Sequence, residues 1–217
     1  MKIKLKNLVL AITMIVGNYG IAQTRTETDL LGEIKVPADA YYGAQAARGM
    51  ENFQISGQYN NDYPDYIKAW GMIKLACALA NTEVGEMPAS KLKLIEPACQ
   101  ELMSGKYLEQ FTLDLYQGGA GTSTNMNANE VLANIALEMS GHKKGEYQFI
   151  EPHDDLNMGQ STNDVYPTAI KVALILHNDK LIKEAQALSA SFHKKGDEFK
   201  NLLKMGRTEG QDAVPMT

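Results

Sequence analysis

The chain has 217 residues, is 44% hydrophobic and 22% charged, and carries a formal net charge of -5. That balance suits a globular chain with a core to bury, which excludes extended disorder. Its lysines are interspersed with glutamates and form no basic stripe, which excludes nucleic acid as a partner.

The first residues read as an export signal. Met1-Lys-Ile-Lys-Leu-Lys-Asn7 is a basic lead, and the apolar run from Leu8 to Gly17 is too short to span a bilayer. Gly20 and Ala22 supply the small residues that a signal peptidase reads, so cleavage is expected after Ala22, with delivery to a bacterial periplasm or beyond. No membrane span is expected once residues 1–22 are removed. Export permits a bridge between Cys77 and Cys99, yet both lie among apolar residues at helical spacing, which favours two free, buried thiols.

Thr28 to Val36 sets β-branched residues around Gly32 and is stopped by Pro37, which predicts a hairpin or an extended arm. Asp39 to Gly43 leads into a short helix carrying Arg48, and Gly57 to Pro64 reads as a polar loop. A helix is predicted from Pro64 to Glu86, with Ile67, Trp70, Ile73, Leu75, Leu79 and Val84 inward. Ser90 is a plausible cap for the next helix, and Pro97 predicts a kink or a break at Glu96. A further helix is expected from Asn127 to Ser140, with Val131, Leu132, Ile135, Ala136 and Met139 inward and Gly141 ending it. The pattern from Pro167 to Leu203 predicts one helix of a bundle, its Ala173, Leu174, Leu181, Ala185, Leu188 and Phe192 covered by neighbours. Met205 to Thr217 reads as a polar loop. The fold class is therefore mainly α, with a domain over residues 23–160 and the start of a central bundle over 161–217.

Two stretches break the apolar rhythm. Gln117-Gly-Gly-Ala-Gly-Thr-Ser-Thr-Asn-Met-Asn-Ala-Asn-Glu130 crowds glycines with the neutral donors Thr122, Ser123, Thr124, Asn125 and Asn127. Gln160-Ser-Thr-Asn-Asp-Val-Tyr-Pro-Thr168 repeats the character with Ser161, Thr162 and Asn163. One such cluster would be a helix cap, whereas two suggest a pocket for a small, multiply anionic molecule. No phosphate loop is present, since the Gly-Lys-Ser/Thr ending is missing. His153-Asp-Asp155 reads as a solvated acidic loop, with no metal site expected, His142 as exposed after a helix-ending glycine, and His177 and His193 as surface or interface residues of the long helix.

Together with Asp29-Leu-Leu-Gly32, Val36-Pro-Ala-Asp-Ala-Tyr-Tyr-Gly43, Met205-Gly-Arg-Thr208 and Gln211-Asp-Ala-Val-Pro-Met-Thr217, these stretches resemble the aspartate ammonia-lyases (aspartases) of the aspartase and class II fumarase superfamily. Gly119-Ala-Gly-Thr-Ser123 has aspartase rather than fumarase flavour. The resemblance implies an N-terminal lyase domain and a bundle built from four subunits, as a homotetramer. It implies reversible elimination of ammonia from L-aspartate to give fumarate through an enediolate, without an organic cofactor. It further implies that Thr122, Ser161 and Thr162 donate to the β-carboxylate, that Asn163 and Thr208 lie near the amino group and α-carboxylate, and that Arg48 stands near the entrance. The family's catalytic serine belongs to a Gly-Ser-Ser-x-x-Met-Pro-x-Lys-x-Asn loop that these 217 residues do not contain, so no catalytic base is assigned in this chain, which is expected to be a truncated and inactive portion. Asp155 stands where the family has histidine, and Glu209-Gly210 replaces Gln-Leu or His-Leu. The glutamate is expected to repel an anionic substrate and the glycine to loosen the loop. Rival readings are a fumarate hydratase and a noncatalytic periplasmic protein that binds a dicarboxylate or assembles with partners.

Overall fold

The computed structural model describes residues 23–217; the expected signal, residues 1–22, lies outside the described residues. The chain divides into two compact units, one ending at Ala173 and the other spanning Leu174–Thr217.

The first unit opens with an antiparallel hairpin, β1 (Thr24–Asp29) and β2 (Gly32–Pro37), which pairs Thr24 with Pro37 and Asp29 with Gly32. The hairpin form of the expected arm is thus the one observed. At the tip, the Asp29 carboxylate accepts the Leu31 N–H at 2.9 Å and grips Arg48 from two oxygens. Arg48 also donates to the Gly32 carbonyl, so helix α1 (Ala44–Asn52) is pinned to the hairpin turn. The same guanidinium holds the Asp29 carboxyl below its usual range.

Helix α2 (Pro64–Glu83) starts with proline in its first turn, where the missing N–H costs nothing. Ile67 and Trp70 are buried as expected, but Leu79 and Val84 are exposed because the buried stripe runs through Ile67, Trp70, Lys74 and Ala78 instead. Helix α3 (Ala89–Met103) has no side-chain cap from Ser90, which lies inside it, and it continues through Pro97. Proline there leaves the carbonyl of residue 93 without its helical partner, and Lys93 is exposed, where water can replace the lost bond. Helix α3 packs against α2 on one side and α4 (Thr122–Met139) on the other, burying Ile95, Cys99, Leu102, Leu132 and Ile135. Cys77 and Cys99 are free, Cys77 half-buried and Cys99 buried, and burial pushes the Cys99 thiol up to about 12.

Helix α4 begins five residues before the predicted start and is buried on nearly every face as far as Leu137; Met139, expected inside, is exposed. Gly141, at φ +83°, closes it: its N–H reaches the Glu138 carbonyl and the His142 N–H reaches Leu137, the reciprocal pair of a left-handed cap. His142 is half-buried, not a free surface residue, because its ring stacks on Phe149 with centroids 3.7 Å apart.

Glu130 ties α4 to α1. Its carboxylate accepts the N–H groups of Gly43, Gln45 and Ala46, so a side chain from another helix caps α1, whose own N-cap residue is glycine. A Cβ at Gly43 would stand 2.9 Å from Glu130 Cδ, which is why the Tyr-Tyr-Gly motif needs its glycine.

Helix α5 (Thr162–Phe199) has 38 residues, about 57 Å at about 1.5 Å per residue, with Pro167 and Gly196 inside it. It starts five residues before the predicted Pro167, and Leu174, Leu181, Leu188 and Phe192 are exposed on this single chain. In the second unit the expected loop is a hairpin, β3 (Lys204–Thr208) with β4 (Gln211–Met216). Its turn residues Glu209 and Gly210 have φ of +50° and +78°, the geometry of a tight two-residue connection, so Gly210 closes the turn instead of loosening it. Among the described residues no helix is long and apolar enough to cross a membrane.

Burial pushes the Glu130 carboxyl up to about 7 from its ordinary 4.5, against the pull of the three N–H groups. A folded-state value above the unfolded one means a stabilising contribution that is complete below pH 4.5 and lost as pH rises through about 7. Urea titrations should show wild-type stability falling across that window and a shallower slope in Glu130→Gln. Glu130→Ala strands the three N–H groups and should cost about 3 kcal/mol or more at acidic pH, a loss that narrows as pH rises through about 7 because the variant lacks the titrating carboxyl.

Candidate functional site

The turn before α4 holds three successive residues with positive φ, Gly119 (+71°), Ala120 (+51°) and Gly121 (+91°). At Gly121 the demand is double, since a Cβ would also lie 2.2 Å from the Tyr166 ring. The backbone before the turn is fixed by a short zipper: Asn60 N–H to the Leu113 carbonyl, Asn61 to Phe111 and Leu115 to Gln58. Asp114 anchors it by accepting the N–H groups of Ile55, Ser56, Gly57 and Tyr116 and the Ser56 hydroxyl. Burial alone would raise that carboxyl, but the donors outweigh it and hold it well below the usual range.

Gln117 takes over the capping of α4. Its carbonyl oxygen accepts the Thr124 N–H at 2.7 Å while its amide nitrogen donates to the Thr124 hydroxyl, which also receives the Asn60 amide. Thr124, Asn125 and Asn127 are buried and held by protein partners, so these members of the first cluster support the fold and do not face a ligand. Thr122 is exposed, its hydroxyl donating to the Gly119 carbonyl at 2.6 Å. Ser123 is half-buried and lies beside the backbone of Gly49.

In the second cluster Ser161 is an N-cap, its hydroxyl accepting the Asn163 N–H at 3.2 Å. Thr162 is half-buried and accepts the Asn125 amide N–H at 3.0 Å. Behind it sits Lys74, 1% exposed, whose ammonium donates to Asn125 Oδ1 at 2.7 Å, Gln160 Oε1 at 2.8 Å and Asn157 Oδ1 at 3.3 Å. Burial pulls its pKa down to about 7.

The two clusters meet at an open groove of about 350 Å³ lined by Leu115, Gln117, Ala120, Gly121, Asn163, Tyr166 and Pro167, all uncharged. Thr208 and Glu209 belong to the second unit. Arg48 is occupied by Asp29 and Gly32 as described above. Asp155 is not solvated: it is buried, paired with Lys91 and accepting the Glu151 N–H at 2.8 Å, while only His153 and Asp154 are exposed. Glu151, His153 and Asp154 can bring one ligand atom each within 4.8 Å of one another, but the Glu151 carboxylate already accepts the His153 and Asp154 N–H groups.

Sequence reasoning missed Lys74 and Asn157. The signal for Lys74 was its place on the same helical face as Ile67, Trp70 and Ala78, where an unneutralised lysine demands a polar cage.

Residues 32–217 match a family model described as lyase. Aspartate ammonia-lyase of Pseudomonas aeruginosa is 54% identical over 197 residues, 91% of this chain and 42% of that protein. The crystal structure of a fumarate lyase:delta crystallin from Brucella melitensis superposes with a TM-score of 0.84 at 49% identity, covering 88% of this chain and 43% of that one. A class II fumarase from Schistosoma mansoni gives a TM-score of 0.80 at 35% identity, over 89% of this chain and 41% of that one. The chain thus spans about two fifths of the length of these relatives.

Gly121→Ala forces the Tyr166 ring out of its seat and should cost about 3 kcal/mol in urea unfolding. Gly141→Ala, at a similar φ but with nothing within 4 Å, should cost only about 1 kcal/mol of backbone strain. Equal losses at the two positions would contradict the packing role assigned to Gly121.

Proposed function

The chain belongs to the lyase family, within the aspartase and class II fumarase superfamily, and from that premise we propose that it carries the substrate-binding donors of an aspartate ammonia-lyase. The observation that carries this reading is the meeting of both polar clusters at one uncharged groove, with Asn163 from α5 facing the Gly-Ala-Gly turn before α4.

Of the expected donors Asn163 lines the groove, while Thr122, Ser161 and Thr162 adjoin its lining residues in sequence, Thr122 after Gly121 and the other two before Asn163. Removing the proton from the carbon beside the β-carboxylate of L-aspartate adds negative charge to a group already ionised, giving an enediolate that expels ammonia and leaves fumarate. Preplaced neutral donors stabilise the added charge, each worth about 3 kcal/mol. Thr162, half-buried, is suited to the role because its oxygen already accepts from Asn125, which leaves its own O–H free for another acceptor. In this reading Ser161, whose hydroxyl keeps its hydrogen while accepting the Asn163 N–H, and Thr122, once its hydrogen turns from the Gly119 carbonyl, join Thr162 at the β-carboxylate. Asn163 and the Thr208 of a second copy lie near the amino group and α-carboxylate, Ser123 is a further donor, and Arg48 stands near the entrance. Glu209, at the tip of the β3–β4 turn, weakens anion binding by repulsion.

The exposed Leu174, Leu181, Leu188 and Phe192 of α5 support assembly into a homotetramer in which copies of this chain cover one another's helices. Export through residues 1–22 would place the protein in the periplasm. A noncatalytic dicarboxylate binder is the second reading, favoured by a groove whose lining side chains are all uncharged.

Calorimetry on this polypeptide should detect fumarate binding, weakened about tenfold by Thr162→Val and strengthened by Glu209→Gln. Assays following fumarate absorbance should show no turnover of L-aspartate by the 217-residue chain. Enzyme-like rates would refute the assignment of binding without a base, and malate turnover in place of aspartate would move the protein to the hydratases.

A further inference from the structure

Lys74 is a buried cation with no carboxylate among its hydrogen-bond partners. Its three acceptors are the neutral amides of Asn125, Asn157 and Gln160, reached from α4 and from the turn that precedes α5. The titratable groups that face it are the thiols of Cys77 on its own helix and Cys99 on α3, both kept protonated by burial. The Trp70 ring lies 5.6 Å from the ammonium, and Tyr166 from α5 packs on that ring. Such an arrangement is costly for stability, since neutral oxygens offset burial of a charge less well than a carboxylate would.

The arrangement has a polarity that propagates. An ammonium has three donors and no acceptor, so each surrounding amide must turn its oxygen toward it. For Asn125 this sends the NH2 group the other way, where it donates to Asn157 Oδ1 at 2.9 Å and to the Thr162 hydroxyl at 3.0 Å. An Oγ that is accepting from an amide keeps its own hydrogen for another partner, and Thr162, being half-buried, has an exposed side on which to meet one. A neutral amine has a lone pair and imposes no such order, so the Asn125 amide is free to turn over. Its oxygen then takes the Thr162 hydrogen inward, and the site loses a donor.

We infer that Lys74 is a positioning residue for the substrate site: its ammonium fixes the Asn125 amide and thereby makes the Thr162 hydroxyl a donor to the bound dicarboxylate. The inference rests on the proposed reading of Thr162 as a substrate donor. Because the ammonium loses its proton from about 7 upward, the donor is present at acidic and neutral pH and withdrawn at alkaline pH.

The test separates positioning from binding. In the ligand-free chain, the labelled Cε of Lys74 and the methyl group of Thr162 are followed by NMR from about pH 6 to about pH 9. Both should inflect at one pH, and this measurement requires no variant. Fumarate, whose carboxylates stay ionised across that range, should bind about tenfold more weakly at the alkaline end, with its inflection at the Lys74 titration. Lys74→Met should bind fumarate weakly with a flat pH profile. A role in packing alone would lower the melting temperature of that variant and leave fumarate affinity as in wild type. A Thr162 methyl that ignores the Lys74 titration overturns the inference whether or not fumarate binds, and so does fumarate affinity that is equal at both ends of the range. No fumarate binding at any pH would instead sink the dicarboxylate reading, with the Thr162 methyl still deciding the positioning.

Discussion

The constraint on which the first unit depends is the burial of a polar helix. Helix α4 places Thr124, Asn125, Asn127, Asn129, Glu130 and Asn134 where water does not reach, and each must find a protein partner or cost the fold about 1–3 kcal/mol. The partners come from different segments of the chain. Thr124 takes Asn60 and Gln117, Asn125 takes Lys74 and Thr162, and Asn127 reaches the Gln110 carbonyl. Glu130 caps α1, and Asn134 bonds the Tyr41 carbonyl and the Gly145 N–H. One helix thereby sets the positions of the others by hydrogen-bond geometry, which apolar packing alone specifies less sharply. The satisfaction is not complete: Asn127 Oδ1 and Asn129 Oδ1 have no partner.

This explains what was legible in the sequence and what was not. Composition and period revealed the helices, because Ile67, Trp70, Val131 and Leu132 repeat as a buried face must. The polar clusters were legible as exceptional but not as divided in purpose. A run such as Thr122-Ser-Thr-Asn-Met-Asn127 looks uniform in one dimension, whereas on a helix that is buried nearly all round, Thr122 faces out and Thr124, Asn125 and Asn127 face in. Helix starts were placed five residues late at α4 and α5 for the same reason: Ser, Thr and Asn favour caps, and tertiary hydrogen bonds overrode that preference. Met139 and Val84 failed as core residues where the helices end, Met139 as the last residue of α4 and Val84 just past the end of α2.

The departures at positions 155 and 209–210 separate in the structure. Asp155 forms a buried pair with Lys91 and accepts the Glu151 N–H, which makes it part of the local scaffold with its charge neutralised. Gly210 serves its turn by adopting positive φ. Glu209 has no such compensation in its own hairpin, where the ion pair is made by Arg207 with Asp212. Of the three, it is the one whose charge no partner in its own hairpin offsets.

A buried lysine without a carboxylate partner is the feature that stability alone accounts for least. A folded-state pKa near 7, well below the ordinary 10.5, means that the unfolded chain holds the proton more tightly, so Lys74 opposes folding at acidic and neutral pH, and that opposition is relieved as pH rises from about 7 toward 10.5. A methionine or leucine at position 74 would fill the same stripe between Trp70 and Ala78 without that cost. A carboxylate in place of the Asn125 amide would pair the charge and stabilise the lysine, but it has no N–H to give Thr162, so the hydroxyl would turn inward to donate. The observed choice of ammonium and amide is the one that gives up stability and leaves the Thr162 hydroxyl its own hydrogen to donate, as expected of a group retained for what it does to Thr162.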